Sequence, residues 1–195
     1  LMIAEIGGNH EGNFTYAKKL TKNAIDSGAD VIKFQIYTGD GIVNKKISPD
    51  RHKHFSKFQL TKEQHIELAE ICYKAKVQYN ASIWNLDMID WVDKYLKFYK
   101  IGSGDLTAYP IIHEFTRRGK PILLSTGLSN LDEIKNTINF IKKSNPIYKK
   151  KNMIAIMQCT SMYPTEDDDV NILVIDKFKK LFNLEIGYSH HSFGD

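Results

Sequence analysis

Apolar residues along this chain fall into short dense runs, separated by longer stretches in which they recur every three or four positions. The runs at residues 2–6, 31–35, 77–82, 98–101, 122–125, 154–159 and 184–188 are rich in β-branched and aromatic side chains. Runs this short and this apolar predict strands covered on both faces, as in a parallel sheet. The stretches at 16–27, 61–74, 86–95, 109–118, 130–143 and 170–182 carry helical spacing instead. Within 61–74, Ile66, Leu68, Ala69 and Cys72 supply the apolar positions, and the opening Thr61-Lys-Glu-Gln64 is a capping-box signature. Gly28, Gly119-Lys-Pro121 and Asn145-Pro146 read as helix stops. The one long connection, residues 37–60, is polar and charged and is expected to hold a lid over the site.

Strands that alternate with helices imply parallel βαβ units. Seven such strands, with glycines and polar residues at almost every C-terminal end, point to a (β/α)8 TIM barrel; a seven-stranded or open α/β sheet is the alternative. The count is one strand short. A barrel of this kind typically needs ~250 residues with a floor near ~200, whereas this chain has 195. The expectation is therefore one partial barrel domain over residues 1–195, cut at both ends, with the last strand missing.

Composition narrows the class. A hydrophobic fraction of 42% and a charged fraction of 26% suit a soluble globular protein. No apolar run approaches the ~20 residues of a membrane span, and Leu1-Met-Ile-Ala-Glu-Ile6 is expected to be structure rather than part of a signal peptide. The formal net charge is +4, with Lys149-Lys-Lys151 the only tight basic cluster, too weak a basis for nucleic-acid binding. Cys72 and Cys159 have no metal-type spacing and read as reduced thiols of a cytoplasmic protein.

The candidate chemistry lies at the strand ends. Lys100-Ile-Gly-Ser-Gly-Asp105 places an ammonium beside a hydroxyl and close-approaching backbone N–H groups, a collection suited to a phosphate or carboxylate. Elsewhere the ends supply Glu5 and His10, Lys33 and Gln35, Asn80 and Ser82, Ser125 and Gly127, Gln158, Ser161 and Tyr163, then His190 and His191. In a barrel all of these open onto one mouth. Two lysines and several hydroxyls there would bind an oxyanion-rich ligand such as a phosphorylated acid. A carboxylate and histidines would add metal ligation and acid–base groups. Lys33 lies inside an apolar strand and Glu5 between Ala4 and Ile6, positions costly for charge unless it is paired or functional.

These residues form six blocks: Ile3-Ala-Glu-Ile-Gly-Gly-Asn-His-Glu-Gly12, Gly28-Ala-Asp-Val-Ile-Lys-Phe-Gln35, Tyr99-Lys-Ile-Gly-Ser-Gly104, Lys120-Pro-Ile-Leu-Leu-Ser-Thr-Gly127, Gln158-Cys-Thr-Ser-Met-Tyr-Pro164 and Ile186-Gly-Tyr-Ser-His-His191. In order and content they resemble the N-acetylneuraminate (sialic acid) synthase family, which includes the pseudaminic and legionaminic acid synthases. The resemblance implies a cytoplasmic TIM-barrel enzyme, a homodimer in its full form. It would condense phosphoenolpyruvate with N-acetylmannosamine or a related 2-acetamido sugar, using a divalent metal (Mn2+ or Mg2+) and releasing phosphate. By motif position, Lys33, Lys100, Ser103, Ser125 and Ser161 would hold phosphoenolpyruvate, with the Gly127 backbone and Ser82 assisting and Gln35 also facing substrate. Glu5 would face the sugar or metal-bound water, Asp105 and Tyr163 the sugar, and His191 the metal.

Three departures accompany the resemblance. The family's Ser-Asp-His-Thr after strand seven is here Ser189-His190-His191-Ser192. Its Ser/Thr-Pro-Phe after strand three is here Ser82-Ile-Trp84. The second metal histidine of the family, on strand eight, and its C-terminal antifreeze-like domain have no counterpart in these 195 residues, so the chain alone is not expected to complete the reaction. Two other readings stay open: a Schiff-base aldolase using Lys33 or Lys100, and a non-catalytic domain that binds phosphoenolpyruvate.

Overall fold

The computed structural model describes residues 1–193. The chain divides into two compact units, Leu1–Lys97 and Phe98–Asp195. The first contains β1 (Ile3–Gly7), α1 (Phe14–Asp26), β2 (Val31–Ile36), α2 (Gly39–Ile42), α3 (Pro49–Phe58), α4 (Lys62–Lys74), β3 (Gln78–Ile83) and α5 (Ile89–Val92). Its strands form a sheet in the order β1-β2-β3, with both pairings parallel. The second contains β4 (Tyr99–Ile101), α6 (Tyr109–Arg118), β5 (Ile122–Ser125), α7 (Leu131–Ser144), β6 (Ile154–Gln158), α8 (Val174–Leu181) and β7 (Glu185–Tyr188). Its sheet runs β4-β5-β6-β7, again parallel throughout. An α/β fold built on parallel sheets is thus what the periodicity implied. Every strand lies within one residue of its expected bounds.

The cores explain why the strands read as unbroken apolar runs. In the first unit Val31, Ile32, Phe34 and Ile36 are buried on both sides of β2, and the Phe34 ring stacks on Tyr79 at 5.6 Å. In the second, Tyr99 of β4 stacks on Phe115 of α6 at 4.4 Å, while Leu124 and Ile156 fill the centre of the sheet. Helix ends follow local chemistry. Thr61 and Gln64 close a capping box on α4, and Asn130 and Glu133 close another on α7. Gly119 ends α6 in the left-handed conformation, φ +71°, a region that costs little only without a side chain.

Three stretches differ from expectation. Residues 86–95 are not one helix: the four-residue α5 is flanked by 3-10 turns at Leu86–Met88 and Asp93–Tyr95. No side chain caps any of the three, and only Ile89 and Val92 bury fully, too few to hold a continuous amphipathic helix. The 37–60 connection contains α2 and α3, tied down by the Gly39 amide donating to Gln59 Oε1 at 2.7 Å and the Thr38 amide donating to Asn85 Oδ1 at 3.1 Å. The pattern at 170–182 gives only the shorter α8, preceded by a 3-10 turn at Asp167–Asp169. Among the described residues no helix is long and apolar enough to cross a membrane.

One buried polar group sets a pH limit on the first unit. His65 of α4 is 2% exposed, its Nδ1 lies 2.9 Å from Tyr79 Oη, and its Nε2 has no hydrogen-bond partner among the described residues. Burial, with a smaller contribution from His10, pushes its pKa down from 6.5 to about 3, so the folded protein holds the ring neutral. Between those values the unfolded chain takes up a proton that the folded chain refuses. Stability present above pH 6.5 is therefore lost as pH falls. His10, also lowered chiefly by burial, acts in the same sense. Urea unfolding is expected to weaken by about 2 kcal/mol between pH 7 and pH 5. His65→Gln should flatten that slope, and an unchanged slope would assign the effect to another group.

Candidate functional site

Each unit carries a buried lysine at the C-terminal end of its sheet, and each lysine is surrounded by groups delivered by neighbouring strands. In the first unit the parallel register sets Glu5, Lys33 and Asn80 side by side across β1, β2 and β3. Lys33 is 7% exposed; its ammonium lies 2.6 Å from Glu5 Oε2 and donates to Ser82 Oγ at 3.1 Å. Ser82 is buried, whereas the Glu5 side chain is about half open to solvent (45%). The ladder shifts register after Glu5, where Gly7 takes φ +51°. A Cβ at Gly7 would stand 3.0 Å from Glu5 Oε1 and 3.5 Å from Gln35 Nε2, so Gly7 leaves room for both side-chain ends. His10 is buried in the following loop, with its Nδ1 accepting from the Gly12 amide at 3.0 Å.

In the second unit Lys100 leaves β4 beside Leu123 of β5 and reaches along the sheet toward its C-terminal end. Its ammonium donates to Ser125 Oγ at 2.5 Å and to the Ile101 carbonyl at 3.1 Å. The chain then turns through Ser103–Asp105 as a 3-10 turn, which places Ser103 Oγ 3.1 Å from the amide of Gly127 in the loop after β5. A Cβ at Gly127 would stand 2.9 Å from Ser103 Oγ and closer still to Ser161 Oγ. Glycine is therefore a packing requirement here, and its peptide N–H is shared between Ser103 Oγ and Cys159 Sγ. Beside these residues an open cleft of about 450 Å³ is lined by Thr126, Gly127, Ser129, Gln158, Thr160 and Ser161, among others, with Ile134 and Phe178 on its apolar side.

The chemistry of the second cluster is that of an anion receptor. A cation on Ser125 and the hydroxyls of Ser103 and Ser161 gather around the C-terminal ends of neighbouring strands, and such groups bind phosphate or carboxylate oxygens. Asp105 lies in the same 3-10 turn as Ser103. Tyr163 is 74% exposed and its ring centroid is 4.2 Å from that of His191.

His191 has a defined tautomer. Its Nδ1 lies 2.7 Å from the Thr160 carbonyl oxygen, which can only accept, so Nδ1 carries the proton. In the neutral ring Nε2 then keeps its lone pair and accepts from Ser189 Oγ at 3.3 Å. A carbonyl-oriented imidazole of this kind suits a single metal ligand. Among the described residues, however, no group of three or more His, Cys, Asp or Glu side chains could hold a metal ion. The neighbouring His190 is exposed and pairs with Ser192 Oγ at 2.5 Å.

Of the residues singled out in the sequence, Glu5, Lys33, Asn80 and Lys100 lie within their strands, and Ser103, Asp105, Gly127, Ser161, Tyr163 and His191 lie in the loops that follow strands of their own unit. In the first unit Glu5, Lys33 and Ser82 meet directly, with Gln35 near Glu5. In the second, Lys100 meets Ser125, and Ser103, Gly127 and Ser161 form one knot. Sequence reasoning missed Cys159, read there as an ordinary reduced thiol. Its sulfur lies 3.0 Å from Ser103 Oγ and accepts from the Gly127 amide at 3.3 Å. Its place at a strand end, two residues before Ser161, was the available signal.

The model of the NeuB family matches residues 20–195. The chain is 32% identical to an N,N'-diacetyllegionaminic acid synthase of Campylobacter jejuni, over 100% of this chain and 61% of that protein. It is also 32% identical to an N-acetylneuraminate-9-phosphate synthase of Mus musculus, over 99% of this chain and 56% of that protein. Among solved structures, an N-acetylneuraminic acid (sialic acid) synthetase from Leptospira borgpetersenii in complex with citrate superposes with a TM-score of 0.89 at 25% identity, over 98% of this chain and 65% of that one. The chain spans a little over half the length of these curated relatives.

The Lys33–Glu5 pair gives an asymmetric prediction. Glu5→Gln leaves a buried ammonium without its counter-charge, and is expected to cost about 1–2 kcal/mol, less than a fully buried pair because Glu5 is solvated. Lys33→Met exchanges the buried cation for an apolar chain and should cost less than that. Urea denaturation of the two variants checks the order, and a larger loss in Lys33→Met would refute it.

Proposed function

The chain belongs to the NeuB family, and from that premise we propose that it is the catalytic barrel of an enzyme condensing phosphoenolpyruvate with an N-acetylated amino sugar. The sugar is N-acetylmannosamine or a related 2-acetamido sugar, and the products are a nine-carbon 2-keto acid and phosphate. The observation that carries the reading is the anion receptor of the second unit: the Lys100 ammonium on Ser125 Oγ, beside Ser103 and the Gly127 amide. Support comes also from relatives named as legionaminic and N-acetylneuraminate-9-phosphate synthases. The proposal takes the parallel sheets as parts of one (β/α)8 barrel, and the parent protein as a cytoplasmic homodimer.

In this reading the C3 carbon of phosphoenolpyruvate attacks the open-chain sugar aldehyde, water adds at C2, and the phosphate leaves by C–O cleavage. Lys33 and Lys100, with Ser82, Ser103, Ser125, Ser161 and the Gly127 amide, hold the phosphate and carboxylate, and fixed cations stand where phosphate charge develops. Lys33 is engaged by Glu5 and Ser82 and Lys100 by Ser125, contacts that suit anion binding better than a Schiff base. Glu5, Gln35, Asp105 and Tyr163 are assigned to the sugar side. His191 Nε2 would supply one ligand to a divalent Mn2+ or Mg2+, and such an ion polarises the sugar aldehyde.

Two measurements test this. Calorimetric titration with phosphoenolpyruvate should show saturable binding that Lys100→Met weakens at least about tenfold, the scale of a lost charge-assisted contact. Phosphate release by the whole protein should require an acetamido sugar and should be abolished by EDTA. Release without metal, or a borohydride-trapped lysine adduct, would sink the reading.

A further inference from the structure

Cys159 follows directly on β6 and is 5% exposed, yet its sulfur meets polar atoms. It lies 3.0 Å from Ser103 Oγ and 3.3 Å from the Gly127 nitrogen, which itself donates to Ser103 Oγ at 3.1 Å. The three atoms close a triangle between loops that follow three different strands. Ser103 and Cys159 are 56 residues apart in the chain, and Gly127 is 24 and 32 residues from them. We propose that Cys159 is a positioning residue for the anion site, its thiol proton fixing the direction in which the Ser103 hydroxyl donates. The inference rests on the reading of this cluster as the phosphoenolpyruvate receptor.

A serine hydroxyl has one proton and two acceptor positions. At Ser103 one acceptor position takes the Gly127 N–H. If the thiol donates its S–H to the other, the hydroxyl proton is left to point at the ligand. If instead Ser103 donates to sulfur, its proton is committed there and only lone pairs face the anion, which they repel. Anion binding therefore selects the arrangement in which sulfur is the donor, and a side chain without a proton to give cannot enforce it. The sulfur also braces the glycine: a Cβ at Gly127 would stand 3.1 Å from Sγ, so the wall of the site has no slack on that side.

Serine and alanine in place of Cys159 separate this role from packing, because both give up the bulk of the sulfur while only serine keeps a donor. Calorimetric titration with phosphoenolpyruvate should show Cys159→Ala raising Kd about five- to tenfold, the effect of one lost hydrogen bond at a charged ligand. Cys159→Ser should stay within about twofold of the unsubstituted protein. On a Ser103→Ala background, Cys159→Ala should add less than about twofold, because the thiol then has no hydroxyl to direct. Thermal melts of all variants confirm that each is folded. Equal losses in the alanine and serine variants, or an effect that persists at full size without Ser103, would assign Cys159 to packing and overturn the inference. Binding that Lys100→Met abolishes and Cys159→Ala leaves untouched would overturn it alone, whereas no binding by the unsubstituted protein would overturn the reading of the site as well.

Discussion

A parallel sheet covered on both faces has no water to offer a charge, and this protein places an ammonium at the end of each of its two sheets. Burying an unpaired lysine costs several kcal/mol in order of magnitude, so the surroundings of Lys33 and Lys100 are constrained before any ligand is considered. Lys33 is met by a carboxylate and a hydroxyl, Lys100 by a hydroxyl and a backbone carbonyl. Lys33 is paired with Glu5, and Lys100 holds the hydroxyl of Ser125 and the carbonyl of Ile101, so each ammonium is fixed in place by its own unit.

Around that requirement the small residues find their reason. Gly7 clears space for the ends of Glu5 and Gln35, and Gly127 lets its amide meet the Ser103 hydroxyl and the Cys159 thiol while Ser161 packs against its open face. Neither position tolerates a Cβ without displacing a group that faces the cluster. The same economy shows at His191, where one carbonyl contact from Thr160 fixes the proton on Nδ1 and so leaves Nε2 as the acceptor that Ser189 meets.

Much of the fold was legible because its signals are local. Most strands are short apolar runs, with β2 and β4 almost wholly buried, and the capping box at Thr61 lies within four residues of sequence. α3 escaped notice because none of its residues is fully buried, so no apolar stripe marks it; its start is signalled only by Pro49 in the first turn. Residues 86–95 erred in the other direction, with helical spacing but too little buried surface to join three short turns into one helix. At the strand ends the residue types were legible and their partners were not. Cys159 looked inert because its neighbours in sequence say nothing of Ser103, and His65 looked like one more helical residue until its ring proved to be enclosed.

The sequence by itself determined the alternation of strands and helices, the polar residues at the strand ends and the family to which they belong, since each is written in short-range pattern and residue identity. Only the tertiary structure decided that Lys33 is balanced by Glu5 while Lys100 leans on Ser125, that Gly127, Ser103 and Cys159 share hydrogen bonds, and that His191 carries its proton on Nδ1. Those pairings depend on the register of parallel strands joined through helical crossovers, and register is set by packing between segments far apart in the chain.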